Sequence, residues 1–309
     1  MQLGLSINPC NLCPRHCGVD RTIQRGFCGA PAEPAVATVT IHKGEEPPLA
    51  AGNGIVNIFF AHCNLQCIYC QNHDISSATV DPSFVHYCSV DSLADRVCQL
   101  LPQSNGLMGF VTAAHFAHLI APLVDAVHKR GFYPTVVYNS SGYESIDTLR
   151  ALEGIVDIYL PDIKYLDADL AQRYSHAANY PLVSTQAILE MQRQVGSSLK
   201  MDDNGVAFRG LIIRHLVLPG QTANTLQCLE WLADHFFAPK LHVSLMAQYY
   251  PPVPGLPAPI DRTLTAAEYD LAAQHFQQLG FNGWLQTPDA NTNYRPDFSD
   301  LDTPFKIQR

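Results

Sequence analysis

Short apolar runs alternate, from residue 55 onward, with longer stretches whose apolar residues recur at helical spacing. Runs of this kind predict strands, and they lie at 55–60, 107–112, 135–139, 155–160, 210–218, 241–248 and 281–286. The amphipathic stretches predict helices at 92–101, 116–130, 145–153, 184–195, 223–236 and 266–279. Repeated strand–helix units predict an α/β fold with a parallel sheet, arranged as a complete or partial (β/α) barrel.

The segments before and after this region lack a comparable pattern. Residues 1–30 are dominated by Cys, Gly and Pro, which is typical of a small module folded around a ligand. Residues 31–54 are rich in Pro and Gly, with one predicted strand near 35–42. We therefore predict a cysteine-rich N-terminal metal-binding module with its linker (1–50), a barrel (51–290) and a polar C-terminal tail (291–309).

Charge and hydropathy narrow the class of protein. The 309 residues carry a net charge of −9, which argues against a broadly basic nucleic-acid surface. No window reaches the roughly 18 apolar residues that a membrane span needs, and the N-terminus lacks the apolar core of a signal peptide. The expected location is the cytoplasm.

The chain has ten cysteines. In a reducing compartment, clustered thiols are more often metal ligands or catalytic groups than disulfides. Two tight groups stand out, Cys10, Cys13, Cys17 and Cys28 (the N-terminal cysteine set) and Cys63, Cys67 and Cys70 (the motif loop). The scattered Cys88, Cys98 and Cys228 are interpreted as buried small hydrophobes.

The motif loop reads FFAHCNLQCIYCQN, with the spacing CxxxCxxC. Three thiolates on one loop can hold three corners of a [4Fe–4S] cubane and leave one iron open, a site that S-adenosylmethionine (SAM) can fill. Cys63 follows the predicted strand 55–60 by three residues, where barrel enzymes place their chemistry. The alternatives are chance clustering or a structural zinc site with His62 or His73 as the fourth ligand.

CxxxCxxC with an aromatic residue, Tyr69, before its last cysteine resembles the radical SAM superfamily. Four further segments look like the pyruvate formate-lyase activating enzyme-like branch of this superfamily: GEEPPLAAGNGIVNIFF, CNLCPRHCGVDR, DIYLPDIKYLD and IIRHLVLPG. The resemblance implies a partial (β/α)6-type TIM-like barrel, a [4Fe–4S] cluster on the motif loop, and contact between Tyr69 and the adenine of SAM. It also implies an oxidoreductase that cleaves SAM reductively to a 5′-deoxyadenosyl radical. An electron donor of the flavodoxin or ferredoxin type and a glycyl-radical protein substrate are the partners that it implies.

Further SAM contacts are expected where later strands end. After the second strand, GFVTAAHF offers Thr112 and His115 in place of the acidic GGE-like segment of the superfamily. After the third strand, Asn139, Ser140 and Ser141 suit ribose hydroxyls, and they suit an N-cap and turn equally well.

Charged residues follow the fourth strand and lie inside the fifth. Asp162 and Lys164 can hold SAM or substrate, or can form a surface ion pair with each other. Arg214 has apolar neighbours, so it needs a partner: the SAM carboxylate, or Asp162. Gln248 and Tyr249 are weaker candidates for substrate contact.

The N-terminal cysteine set forms CxxCxxxC followed by a fourth cysteine. Four thiolates make a closed site that suits a structural Zn²⁺ or an auxiliary [4Fe–4S] cluster, and spacing does not separate the two. His16 can compete with Cys17 as a ligand.

The leading hypothesis is a radical SAM enzyme that abstracts a hydrogen atom from an unknown substrate, a glycyl-radical enzyme among the candidates. A small molecule, a peptide or RNA is an alternative substrate, with RNA disfavoured by the acidic charge. A non-catalytic iron–sulfur or zinc protein, such as a metallochaperone or electron carrier, is the alternative class.

Overall fold

The computed structural model describes residues 4–50, 52–287, 289–293, 295–300 and 304–305. Its strands are β1 (Ala35–His42), β2 (Ile55–Phe60), β3 (His86–Tyr87), β4 (Leu107–Val111), β5 (Thr135–Ser140), β6 (Ile158–Pro161), β7 (Lys200–Met201), β8 (Ala207–Leu216), β9 (His242–Met246) and β10 (Asn282–Leu285). The helices are α1 (Pro47–Ala50), α2 (His73–Ser76), α3 (Val90–Leu100), α4 (Ile120–Lys129), α5 (Ile146–Ala151), α6 (Ala168–Ser175), α7 (Tyr180–Val195), α8 (Thr222–His235), α9 (Ala266–Leu279) and α10 (Ala290–Asn293).

The sheet confirms the predicted α/β class. Its strands run in the order β10-β9-β8-β6-β5-β4-β2-β1-β3, and the pairs from β2 to β10 are parallel. β1 pairs antiparallel with β2, and β7 forms a hairpin with β8. Helices occupy the crossovers between parallel strands, so the carboxyl ends of seven strands meet at one edge.

β2, β4 and β6 are buried along their whole length, as expected for the central strands of a parallel sheet covered by helices. Capping residues fix where two of the outer helices begin. Ser89 and Ser92 form a reciprocal capping box at α3, and Thr265 and Glu268 form one at α9. The predicted limits of α9 are therefore met to the residue.

Some boundaries differ from the sequence prediction. The helix predicted at 116–130 is divided into a 3₁₀ segment, Ala114–Leu119, and α4, and Phe116 within the 3₁₀ segment has non-helical backbone angles. The prediction lacked α6, whose N-cap Asp167 accepts hydrogen bonds from the amides of Asp169 and Leu170.

Part of the predicted tail packs against the barrel. Phe298 is buried, and its ring lies 6.1 Å from that of Phe59, while Phe305 lies 5.0 Å from Phe59. Residues 294, 301–303 and 306–309 of this segment lie outside the described residues. Within the described ranges, no helix is long and apolar enough to cross a membrane.

Candidate functional site

A cavity of about 190 Å³ opens where the parallel strands end. Nine of the side chains that the sequence predicted around SAM line it: Cys63, Cys67, Cys70, Tyr69, Asn139, Ser141, Asp162, Lys164 and Arg214. They come from four separate strands or the loops after them, so the barrel brings together residues that are distant in sequence. Thr112, Gln248 and Tyr249 line the same cavity.

The motif loop turns tightly between β2 and α2. Two of its non-glycine residues, His62 (φ 71°) and Gln66 (φ 56°), occupy the left-handed region, a strained conformation that clusters at functional sites. The Leu65 amide donates to Cys63 Sγ at 3.3 Å, and Ser175 Oγ donates to Cys67 Sγ at 3.0 Å. Both sulfurs are therefore oriented by donors that suit a thiolate.

Cys63 and Cys67 of the motif loop are neutral thiols at neutral pH when nothing is bound. Burial raises the pKa of Cys63 to about 12 and that of Cys67 to about 11. A metal centre must therefore displace protons from them, as metals do when they bind thiols.

The two histidines considered as a fourth ligand are not among the described residues that line the cavity. His62 Nδ1 lies 3.1 Å from the Ser77 carbonyl oxygen, and His73 Nε2 lies 3.2 Å from the Asp74 carboxylate. The three thiols thus face the cavity without either histidine, an arrangement that fits a cluster with one open iron better than a four-ligand zinc.

Tyr69 has a buried ring inside a group of tyrosines. Its hydroxyl shares a hydrogen bond with the Tyr165 hydroxyl, and its ring lies 6.0 Å from that of Tyr249. Burial raises the pKa of Tyr69 well above its usual value. The ring is thus held rigidly at the cavity wall beside Cys70, where an aromatic face can pack against a flat ligand.

Asp162, Lys164 and Arg214 form one buried ion network. Lys164 Nζ lies 2.5 Å from Asp162 Oδ2, and Arg214 Nε donates to Asp162 Oδ1 at 2.9 Å. Burial alone would raise the pKa of Asp162, but the charges of Arg214 and Lys164 hold it below its usual value. Arg214 is therefore the structural partner of Asp162, which was one of its two predicted roles, and the pair of Asp162 and Lys164 is buried rather than on the surface.

The candidate residues at the end of β5 and after β4 lie in different environments. Ser141 Oγ is buried without a hydrogen-bond partner, and this residue lines the cavity, so it is available to a ligand hydroxyl. Asn139 Oδ1 accepts from Arg214 Nη2 at 2.6 Å. Ser140 donates to Glu144 and belongs to the structural core, and His115 lines a different cavity beside the N-terminal cysteine set.

The sequence analysis missed three ionisable residues of the cavity, His42, Glu45 and Glu46. His42 ends β1, and Glu45 and Glu46 follow it in the segment 31–54, for which the sequence analysis proposed no site residue. Glu45 Oε1 accepts from Asn57 Nδ2 at 2.8 Å, and Glu45 Oε2 lies 3.5 Å from Arg214. The adjacent carboxylates of GEEPP were the available signal, but no pattern along the chain shows that this loop enters the barrel.

Glu46 is the most unusual of these carboxyl groups. It is 8% exposed, and its Oε2 has no hydrogen-bond partner. Burial raises the pKa of Glu46 to about 7 against the opposing charge of Arg214. A carboxyl group with this pKa can donate or accept a proton near neutral pH.

The N-terminal cysteine set surrounds a second, smaller cavity of about 10 Å³. Cys13 and Cys28 are buried, whereas Cys10 and Cys17 are half-buried. Arg15 fixes this module to the motif loop, since its guanidinium donates to the carbonyl oxygens of Asn64 and Leu65. The two cysteine groups therefore belong to one packed unit.

Comparison with known proteins places the chain in a family. It is 30% identical over 273 residues to the uncharacterized protein MJ0674 of Methanocaldococcus jannaschii, covering 86% of this chain and 73% of the archaeal one. The two chains share one family. No family model matches the sequence, so membership of the MJ0674 family rests on this pairwise similarity.

The fold of this MJ0674 family member is found among radical SAM proteins. A radical SAM methyltransferase from Sphaerobacter thermophilus superposes with a TM-score of 0.51 at 13% identity, over 75% of this chain and 65% of the methyltransferase. SuiB of Streptococcus suis, solved with S-adenosylmethionine, superposes with a TM-score of 0.47 at 9% identity, over 77% of this chain and 52% of SuiB. A TM-score at this level adds nothing to the assignment of the fold. The chain thus spans about two thirds of the methyltransferase and shares its fold.

Proposed function

We propose that this protein is a radical SAM enzyme whose motif loop holds a [4Fe–4S] cluster. The observation that carries the proposal is the convergence of three cysteines, Tyr69 and a buried ion network on one cavity at the carboxyl edge of a parallel barrel. A cluster held there would supply the electron for reductive cleavage of the C5′–S bond of SAM, chemistry that yields methionine and a 5′-deoxyadenosyl radical able to abstract a hydrogen atom.

The residues of the cavity would then bind and orient SAM. The unpaired Ser141 hydroxyl suits a ribose hydroxyl, and the rigid Tyr69 ring suits the adenine. Lys164 lies between the motif loop and Asp162, and its charge lowers the pKa of Cys67 against the larger opposing effect of burial. Both cations bond Asp162, but Arg214 also donates to Asn139 and Glu45. We therefore propose Lys164, whose ammonium group has three donors, as the partner of the SAM carboxylate.

Buried tyrosines support the motif loop on one side. Tyr69 lines the cavity, and its buried neighbours Tyr165 and Tyr174 contact it through a hydroxyl hydrogen bond and an edge-on ring contact. The protein would thus contribute alignment, which is what cofactor chemistry requires of its host.

Two substrate classes have a specific basis. The resemblance to activating enzymes points to a glycyl-radical protein. The unpaired Oε2 of Glu46, a residue that lines the cavity, points instead to a small molecule or peptide end with a hydrogen-bond donor, since this oxygen has no donor within the described chain. A glycyl EPR doublet after mixing with a large protein partner would support the first class and contradict the second.

The one-electron donor is proposed to be of the flavodoxin or ferredoxin type. A direct test of the function is the EPR spectrum of the dithionite-reduced protein before and after SAM is added. SAM should change the spectrum of the cluster, because the proposal gives one iron no protein ligand. An unchanged spectrum would favour a non-catalytic iron–sulfur protein.

A further inference from the structure

The loop between β1 and β2 closes the main cavity at the end opposite the motif loop. Leu49 of α1 is fully buried and belongs to one apolar cluster with Ile55, Leu107 and Ile158, the first residues of β2, β4 and β6. The motif loop, in contrast, follows the carboxyl end of β2. Glu46 directly precedes α1 and lines the cavity. Glu46 and α1 therefore form the floor of the cavity.

The buried ion network of Asp162, Lys164 and Arg214 separates the cavity floor from the motif loop. Lys164 bonds Asp162, and Asp162 bonds Arg214. Arg214 in turn acts on Glu46, since its positive charge opposes the effect of burial on this carboxyl group. SAM at the motif loop would thus lie beside Lys164, and a second ligand can bind beside Glu46.

The carboxyl groups of the cavity outnumber its permanent cations. Among the described residues that line the cavity, the acidic ones are Glu45, Glu46 and Asp162, and the basic ones besides histidine are Lys164 and Arg214. Both cations bond Asp162, and Arg214 also bonds Glu45. None of the ion pairs in the described ranges includes Glu46. The charge balance of the site therefore leaves Glu46 as the carboxyl group without a cation of its own.

The Glu46 carboxyl group is buried and incompletely bonded. The residue is 8% exposed, and its Oε2 has no hydrogen-bond partner, while Ser244 of β9 hydrogen-bonds the carboxyl group. Burial raises the pKa of Glu46 to about 7. A buried carboxylate without a counter-charge is costly. A cationic ligand at this position would supply the counter-charge that the chain does not.

Apolar side chains complete the lining of the cavity. The rings of Phe59 and Phe305 lie 5.0 Å apart, and Met246 ends β9 at the same cavity. Binding sites for small molecules typically combine such an apolar wall with a few polar groups that fix the orientation of the ligand. A ligand that matches this lining has a hydrocarbon part and a positively charged nitrogen.

We propose that the cavity floor binds the ammonium group of a small aliphatic amine, the substrate of the enzyme, and that Glu46 determines the specificity for this charge. The inference narrows the small-molecule class named above and rests on the proposed function, which assigns SAM to the motif loop.

Butylammonium and 1-butanol are the probes that test this site, because they share a hydrocarbon chain and differ in the charge of the end group. They are titrated calorimetrically into the reconstituted full chain at about 0.15 M salt, which weakens binding to exposed carboxylates. The wild type should bind butylammonium about tenfold more tightly than 1-butanol, since a hydrogen bond to a charged group contributes about 1.5–3 kcal/mol. Equal affinity for the two probes, or no binding of either, would overturn the proposal without reference to any variant.

Glu46→Gln removes the charge of the carboxyl group and preserves its shape. This variant should lose the preference for butylammonium over 1-butanol. The matched control is Glu144→Gln, the same change at a residue that is 2% exposed and is not among the described residues lining the cavity. The control should keep the preference of the wild type. A Glu46→Gln variant that also keeps it, or a control that loses it equally, would contradict the assignment.

SAM has an ammonium group of its own, so the same variants are also titrated with SAM. Glu46→Gln should leave the Kd of SAM unchanged. A weaker affinity for SAM would overturn the proposal, because Glu46 would then be a contact of SAM. The titrations with butylammonium contain neither SAM nor a reductant. Failure of SAM cleavage therefore leaves the ammonium site testable, and failure of the ammonium site leaves SAM cleavage intact.

Discussion

Replacing Asp162 by asparagine tests the buried ion network in the cavity wall. The Asp162 carboxylate lies 2.9 Å from Arg214 Nε and 2.5 Å from Lys164 Nζ, and the side chain is 12% exposed. Removing its charge leaves two buried cations facing each other with the Glu45 carboxylate 3.5 Å from Arg214. Loss of one partner of a buried pair costs about 3–5 kcal/mol. We therefore expect Asp162→Asn to lower the free energy of unfolding by about that amount.

Anaerobic urea unfolding of the reconstituted protein, followed by circular dichroism, measures this loss. The matched control is Asp95→Asn, the same chemical change at a surface pair in which Asp95 is 62% exposed and lies 2.7 Å from Arg130. Exposed pairs contribute far less than buried ones, so this control should scarcely change the midpoint. The reasoning is refuted if Asp162→Asn lowers the free energy of unfolding no more than Asp95→Asn does.

The pH dependence gives the same test a second readout. Because the folded-state pKa of Asp162 is depressed below 3.8, its stabilisation is present above that value and is lost as the pH falls through the folded pKa. The difference between wild type and Asp162→Asn should therefore shrink in acid and be full at neutral pH. A difference that grows on acidification would contradict the direction of the shift.

Three further predictions concern individual residues. Burial raises the pKa of Glu144 from 4.5 to about 7. Its contribution to stability is therefore complete below pH 4.5 and is lost as the pH rises through 7, a loss of about 3 kcal/mol at 1.36 kcal/mol per pH unit. Glu144→Gln should remove this part of the decline in urea midpoints between pH 5 and pH 8, and an unchanged decline would contradict the prediction. Ser175→Ala removes the hydroxyl donor 3.0 Å from Cys67 Sγ, so the midpoint potential of the motif-loop cluster should become more negative while its iron content stays constant. The control is Ser184→Ala, the same change at another buried serine. Equal potentials for the two variants would refute the role of Ser175. Arg15→Met removes the hydrogen bonds between the N-terminal module and the motif loop and should therefore increase proteolysis of the first 30 residues under native conditions. Arg25→Met should not increase it. Equal cleavage of the two variants would contradict the packing of the module against the motif loop.

The strands of the barrel could be predicted from the sequence because buried strands consist mainly of apolar residues. The runs at 55–60 and 107–112 correspond to β2 and β4, since strands covered on both faces must be continuously apolar. The helix α6 escaped prediction because Ala168–Ser175 is mostly polar, with a narrow apolar stripe.

Site residues that directly follow a parallel strand could be predicted from the sequence. Site residues on the loop between β1 and β2 could not. Asp162 and Lys164 follow β6, and strand ends converge in any parallel barrel, so their position in the cavity could be inferred. Glu45 and Glu46 reach the same cavity because the antiparallel strand β1 returns the chain beside β2. The strand at 35–42 was predicted, but a local pattern does not name the strand with which it pairs.

Formation of 5′-deoxyadenosine tests the central claim most directly. The reconstituted wild type, mixed anaerobically with SAM and dithionite, should release 5′-deoxyadenosine and methionine. The variant Cys63→Ala/Cys67→Ala/Cys70→Ala should release neither, whereas Cys88→Ala/Cys98→Ala, the same change outside the cavity, should match the wild type. A wild type that holds its iron yet forms no 5′-deoxyadenosine, or a triple variant that forms as much as the wild type, would contradict the account.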